Sequence, residues 1–249
     1  MIGIVGGAGP LAGVDIVKKI IEETRARKDQ DHVPVLLLSV PASTPDRTQY
    51  LIGAESDNPA YPIAALFQRL EQGGAQVGAI PCNTAHADAI FGVVQQELKQ
   101  AGSQLKLIHM IQENVAFIQR YYPGKRVGVL STKGTRLVGI YREAFQAGSI
   151  PLVEPDADWQ ERIHAAIYDT DYGIKAFSSP VSAHAVAELE AAMQHLIEAQ
   201  GAEVLVLGCT ELPLAIPGSS YQGIPLVDPN RILARALIRE IAPEKLKPM

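Results

Sequence analysis

The sequence predicts an α/β fold built twice: two pseudo-symmetric domains, each a parallel sheet flanked by helices. Three observations carry that expectation. Short Val/Ile/Leu-rich runs alternate along the chain with longer helical stretches, the pattern of parallel α/β layers. The segment GAQVGAIPCNTAH, residues 74–86, aligns on its Gly-Ala with GAEVLVLGCTEL, residues 201–212, setting Cys82 against Cys209 with an offset of 127 residues. At nearly the same offset, 125 residues, IGIVGGAG at 2–9 resembles VGVLSTKG at 127–134. Two matches at nearly one spacing indicate a duplicated unit, with a thiol in each copy where a strand ends.

Taken in order, the expected strands are 1–5, 35–40, 76–80, 105–108, 126–130, 203–207 and 224–227. Several are unbroken aliphatic runs, as expected of strands covered on both faces. Helices are expected over 11–28, 60–71, 85–100, 112–121, 135–146, 158–168, 182–200 and 229–241. The last has Asp228 as its cap and Pro229 in the first helical position. The turn Tyr122-Pro123-Gly124-Lys125 precedes the restart of the repeat and marks the neighbourhood of the domain boundary. The expected partition is 1–113 with a returning C-terminal helix at 228–249, and 114–227. Residues 41–59, rich in Ser, Thr, Pro, Asp and Asn, form one long irregular stretch after a strand end. In α/β sheets that is where ligands bind, so this loop reads as functional.

Composition narrows the partners. With 249 residues, 47% hydrophobic and 20% charged, the chain can build a sizeable core. A net charge of −5 without a basic run argues against nucleic acid and anionic membranes. No stretch is long and apolar enough to span a bilayer. The opening IGIV reads as a strand and leaves no room for a secretory signal, so a cytoplasmic location and two free thiols are expected.

Taken alone, a cysteine after an apolar strand reads as a small buried hydrophobe. Here Asn83-Thr84 and Thr210-Glu211 follow the two thiols, and these are residue types that start helices. Unpaired N–H groups at a helix start lower a thiol's pKa and can hold a carboxylate. His86, four residues after Cys82 and one helical turn along, is within reach of the site, but reads first as a helix-surface or capping residue. The remaining histidines show no metal-ligand spacing, so no metal is expected. The glycine-rich opening matches neither a dinucleotide fingerprint nor a P-loop.

GIVGGAGPLAG (3–13), PDRT (45–48), PCNTAH (81–86) and GCTEL (208–212), in that order, resemble the aspartate/glutamate racemase family. Glu211, where glutamate racemases usually carry histidine, looks more like the aspartate racemase branch. The resemblance implies cofactor-independent racemisation of an acidic amino acid, aspartate first and glutamate second, in the cleft between two domains. One cysteine, as thiolate, removes the α-proton; the other, as thiol, protonates the opposite face. It further implies that Asn83, Thr84 and Thr210, with Glu211, line the substrate site; Ser131 and Thr132, at the duplicated counterpart of Gly6-Gly7, and the backbone at Gly7 are further expected contacts. Arg47, from the PDRT motif, and Lys175, in YGIKAF, would hold the distal carboxylate. Relatives of this kind are commonly homodimers. Hydantoin racemase, maleate isomerase, a non-catalytic small-acid binding protein and a disulfide switch between Cys82 and Cys209 stay open as alternatives.

Overall fold

The computed structural model describes all residues, 1–249, in two compact units. One comprises Met1–Glu113 with Asn230–Met249, the other Asn114–Pro229.

The first unit holds strands β1 (Ile2–Val5), β2 (Val35–Leu38), β3 (Val77–Ala79) and β4 (Lys106–Leu107) in the order β2-β1-β3-β4, all parallel. Ile2 and Ile4 of β1 face the helices Pro10–Glu23 and Pro229–Ile241, whose Ile16, Ile20, Leu233 and Leu237 complete one core layer. Val5 belongs to the other layer, with Phe67 and Leu70 of Ala60–Gln72 and Ile90 and Val94 of Asp88–Gln100. A strand buried on both faces must be apolar throughout, which is why IGIV shows no alternation. The C-terminal helix is further tied down by polar contacts. Asn230 Nδ2 donates to Asp15 at 2.8 Å, and Arg231 pairs with Glu22 and Glu23 at 2.8 and 2.5 Å.

The second unit holds β5 (Val127–Leu130), β6 (Leu152–Val153), β7 (Val204–Leu207), β8 (Ser220–Tyr221) and β9 (Ile224–Val227) in the order β6-β5-β7-β9-β8. Only β8 is antiparallel, joined to β9 by Gln222-Gly223, both with positive φ. Leu205 and Leu207 pack on Ile163, Ile167, Leu189 and Met193 of the helices Ala157–Tyr168 and Ala183–Glu198. The duplication extends to register. Gly3 pairs with Gly78 in one unit and Gly128 with Leu205 in the other, and Gly78 and Leu205 stand at the same offset as the two cysteines.

Several expected boundaries move. The helix expected over 11–28 ends at Glu23, where Thr24 turns extended and its hydroxyl donates back to the Ile20 carbonyl at 2.6 Å. The helix expected over 85–100 begins at Asp88, because Thr84–His86 form a 3₁₀ turn and Ala87 is extended. The one expected over 135–146 divides into Lys133–Leu137 and Ile140–Ala147 around Gly139, which is left-handed at φ 71°. The irregular stretch 41–59 contains a 3₁₀ turn, Pro41–Ser43, and a short helix, Arg47–Leu51, capped by Asp46 accepting from Gln49 N at 2.9 Å. Strands β6 and β8 were not expected: two residues are too few to show a period.

Candidate active site

Each unit presents its cysteine just beyond a central strand, on a tight turn. In the first, Cys82 N–H donates to Ile80 O at 2.9 Å and the Cys82 carbonyl accepts from Ala85 N at 3.2 Å. In the second, the Cys209 carbonyl accepts from Leu212 N at 3.0 Å, opening the four-residue helix Leu212–Ala215. Both cysteines are buried free thiols. The turns close alike, and their side chains differ.

Beyond Cys209 the partners are charged. The Cys209 thiol donates to Glu211 Oε2 at 3.0 Å, while Lys175 Nζ donates to the other oxygen at 2.9 Å. Lys175 also lies over the Tyr168 ring, 5.1 Å from its centroid. Burial, then the Glu211 carboxylate, pushes the Cys209 thiol well above the usual range, against the pull of Lys175. Burial works against the charge on Lys175 too, but Glu211 outweighs it and holds the ammonium protonated. Tyr141, buried and facing Cys209, is likewise kept neutral. The lowered thiol pKa expected from a helix start is therefore corrected at Cys209. The helix is a single turn, too short for a macrodipole, and a carboxylate sits on the sulfur.

Beyond Cys82 the partners are aromatic. His86 is 3% exposed, so the helix-surface reading is corrected: the 3₁₀ turn swings the ring inward instead of along a helix face. Its Nδ1–H donates to the Cys82 carbonyl at 2.9 Å, and the ring stacks on Phe91 at 4.8 Å. Burial, then His109, lowers its pKa to about 3, overriding the Cys82 and Ile108 carbonyls, so the ring is neutral.

Within the first unit the residues Gly7, Arg47, Asn83 and Thr84 gather around the same strand ends. Gly7 has no room for a Cβ, which would meet the Val40 backbone at 2.9 Å. Arg47 is buried, and its guanidinium donates to Pro45 O at 3.0 Å and to Ala8 O, fastening the loop after β2 to the glycine-rich turn. Asn83 and Thr84 are buried in the Cys82 turn. Within the second unit, Thr210, like Glu211, is buried beside Cys209, and Ser131 and Thr132 lie past β5. Thr132 caps Lys133–Leu137 through Thr135 N at 3.3 Å, and the Ser131 carbonyl accepts from Gln160 Nε2 at 2.9 Å. Sequence reasoning missed Gln160, because a glutamine in an amphipathic helix carries no signal of its own. For His86 the Cys-x-x-x-His spacing offered contact with the site as the second reading, and the buried ring agrees with that one.

The family model for Asp/Glu/Hydantoin racemase matches residues 5–237. The chain is 27% identical over 244 residues to the broad specificity amino-acid racemase RacX of Bacillus subtilis (strain 168), covering 96% of each. Its structure is similar to that of Picrophilus torridus aspartate racemase, with a TM-score of 0.79 and 29% identity over 99% of this chain and 95% of that one. The same fold is found in an aspartate racemase homologue from Pyrococcus horikoshii OT3, with a TM-score of 0.71 and 23% identity over 96% and 97% of the two chains. With the family model spanning nearly the whole chain and a thiol on each of two duplicated turns, the protein belongs to the Asp/Glu/hydantoin racemase family and is an amino-acid racemase of the Asp/Glu racemase type.

Proposed function

We propose that the protein racemises an acidic amino acid, aspartate first and glutamate second, by two-base proton transfer between Cys82, Cys209 and the substrate's α-carbon. The observation that carries this reading is the hydrogen bond from the Cys209 thiol to a carboxylate that is itself held by Lys175. A sulfur kept protonated against a fixed anion is an acid with a proton to give. In the direction served from this state, Cys82 as thiolate takes the α-proton and becomes a thiol. Cys209 gives its proton to the opposite face and becomes a thiolate. One C–H bond and one S–H bond break, and one of each forms.

The new Cys209 thiolate lies against Glu211, so its charge is costly and the proton is soon recovered, which resets the pair. The developing enolate needs fixed donors rather than water. The peptide and side-chain groups of Asn83, Thr84, Thr210, Ser131 and Thr132 supply them at the two cysteine turns and past β5. Lys175 takes the distal carboxylate as an alternative to Glu211, and Arg47 sets a further positive charge at the glycine-rich turn. The working form is a homodimer.

A wider amino-acid range is the second reading, favoured by the likeness to RacX across 96% of both chains. Assaying L- and D-amino acids in D₂O for deuterium at Cα separates the two. Exchange confined to aspartate and glutamate supports the first reading. Equal exchange of basic or neutral amino acids supports the second, and ligand binding without exchange at any Cα sinks both. A hydantoin or maleate substrate in the same assay tests the remaining members of the superfamily.

A further inference from the structure

We propose that His86 is a positioning residue for Cys82: its ring N–H holds the Cys82 peptide carbonyl and so fixes the direction in which the thiol leaves its turn. The inference rests on the reading of Cys82 as a reacting thiol and adds to it a residue that handles no substrate proton.

Every peptide group next to the Cys82 α-carbon is pinned. Its N–H donates to Ile80 O at 2.9 Å, and its carbonyl accepts twice, from Ala85 N at 3.2 Å and from His86 Nδ1 at 2.9 Å. With φ and ψ fixed on both sides, only χ1 remains to aim the sulfur. A carbonyl can only accept, so the neutral ring carries its proton on Nδ1. Nε2 is buried and meets no group at hydrogen-bond geometry; the Ile108 carbonyl, the other acceptor near the ring, is a peptide oxygen that cannot relay a proton onward, so the ring is no proton shuttle.

The ring itself cannot turn. It stacks on Phe91 at 4.8 Å and 22°, and meets His109 edge-on at 4.7 Å and 64°. Phe91 and His109 also touch, at 4.8 Å, closing a three-ring cluster. His109 Nδ1 in turn accepts from Gln112 N at 3.3 Å, which joins the cluster to the helix Met110–Tyr121. Cys82 is thereby tied to a helix remote in sequence. The Cys209 turn has no counterpart, since the residue four beyond that cysteine is Pro213.

Full-length His86→Asn, His86→Gln and His86→Ala test the proposal. Asparagine puts its amide N–H where Nδ1–H lies; glutamine carries it to the position of Nε2. Two readouts are taken: iodoacetamide alkylation of Cys82 by mass spectrometry, with Cys209 of the same molecule as reference, and kcat and KM for L-aspartate. We expect the glutamine and alanine variants to change the Cys82/Cys209 alkylation ratio and to lose about 100-fold in kcat at nearly unchanged KM, the scale of a misplaced reacting group. The asparagine variant should keep both within about threefold of wild type, because it retains the donor. If alanine prevents folding, the asparagine-glutamine contrast carries the test. A folded glutamine variant with the wild-type ratio, or an asparagine variant as damaged as the glutamine one, overturns the proposal. The alkylation ratio reads on Cys82 even if no amino acid is racemised, so failure here is distinct from failure of the functional reading.

Discussion

The two cysteine turns start from the same backbone and end in opposite chemistry. Each follows a central parallel strand and each closes its carbonyl onto the N–H three residues on, Ala85 in one unit and Leu212 in the other. At the second position past the cysteine one copy has Thr84 and the other Glu211; at the fourth, one has His86 and the other Pro213. Those two differences decide how each sulfur is held. Cys82 is held through its backbone by a neutral ring, and Cys209 through its thiol by a carboxylate paired with Lys175. Duplication supplied two equivalent positions, and the side chains around them made one neutral and aromatic, the other charged.

The comparison breaks most plainly if either sulfur is dispensable. Cys82→Ser and Cys209→Ser should each lower racemisation by about 10²–10⁴-fold, the usual contribution of a positioned acid or base. Full racemisation of both enantiomers by either variant would end the two-thiol account.

Removing the charged partner sharpens it. Glu211→Gln keeps an acceptor for the thiol but leaves Lys175 as the only charge beside the sulfur. Cys209 should then ionise more readily and alkylate faster at neutral pH, with Cys82 unaffected, while kcat falls by about 10- to 100-fold because the acid is depleted. A slower Cys209 reaction would contradict the assigned role of Glu211.

The turns should also fail at opposite ends of the pH scale. His86 titrates near 6.5 when unfolded but only at about 3 in the fold, so the fold binds fewer protons between those values. Its stabilising effect is complete above pH 6.5 and is lost as pH falls toward 3, by about 1.4 kcal/mol per pH unit. Cys209 is the reverse: unfolded it ionises near 9, folded it stays protonated higher, so stability is complete below pH 9 and is lost as pH rises. Hydrogen exchange followed across pH should loosen peptides around Cys82 first in acid and around Cys209 first in alkali. Simultaneous loosening at both ends would show that these groups do not set the behaviour.

The smallest effect concerns how the Cys209 turn approaches β5. A Cβ on Gly208 would meet Leu130 O at 2.8 Å and Val129 at 2.9 Å. Gly208→Ala should cost about 1–3 kcal/mol, the range for an overpacked site, read as a lower melting temperature. An unchanged melting temperature would mean that the turn has slack.

The fold was legible in the sequence because parallel strands buried on both faces have to be aliphatic, and because a repeat exposes its own period. IGIV and VLVL needed no more than that. The helix break at Gly139 and the 3₁₀ turn at Thr84–His86 were hidden, since both lie within segments whose apolar spacing still suits a helix. The matching places of the cysteines after equivalent strands were legible by duplication, and Lys175 and Glu211 drew notice through the resemblance. Their mutual ion pair was not, because 36 residues and an intervening helix separate them in the chain. His86 was misread for a related reason: whether a residue four past a cysteine faces in or out depends on the turn type, which composition does not reveal.

The most direct test of two-base proton transfer is the early position of the isotope when L-aspartate is incubated with the protein in D₂O. The account predicts deuterium at Cα of the newly formed D-aspartate while the unreacted L-aspartate remains protonated, because removal and return occur at different sulfurs. Deuterium appearing equally in both enantiomers from the outset would mean that one base serves both faces, and would contradict it.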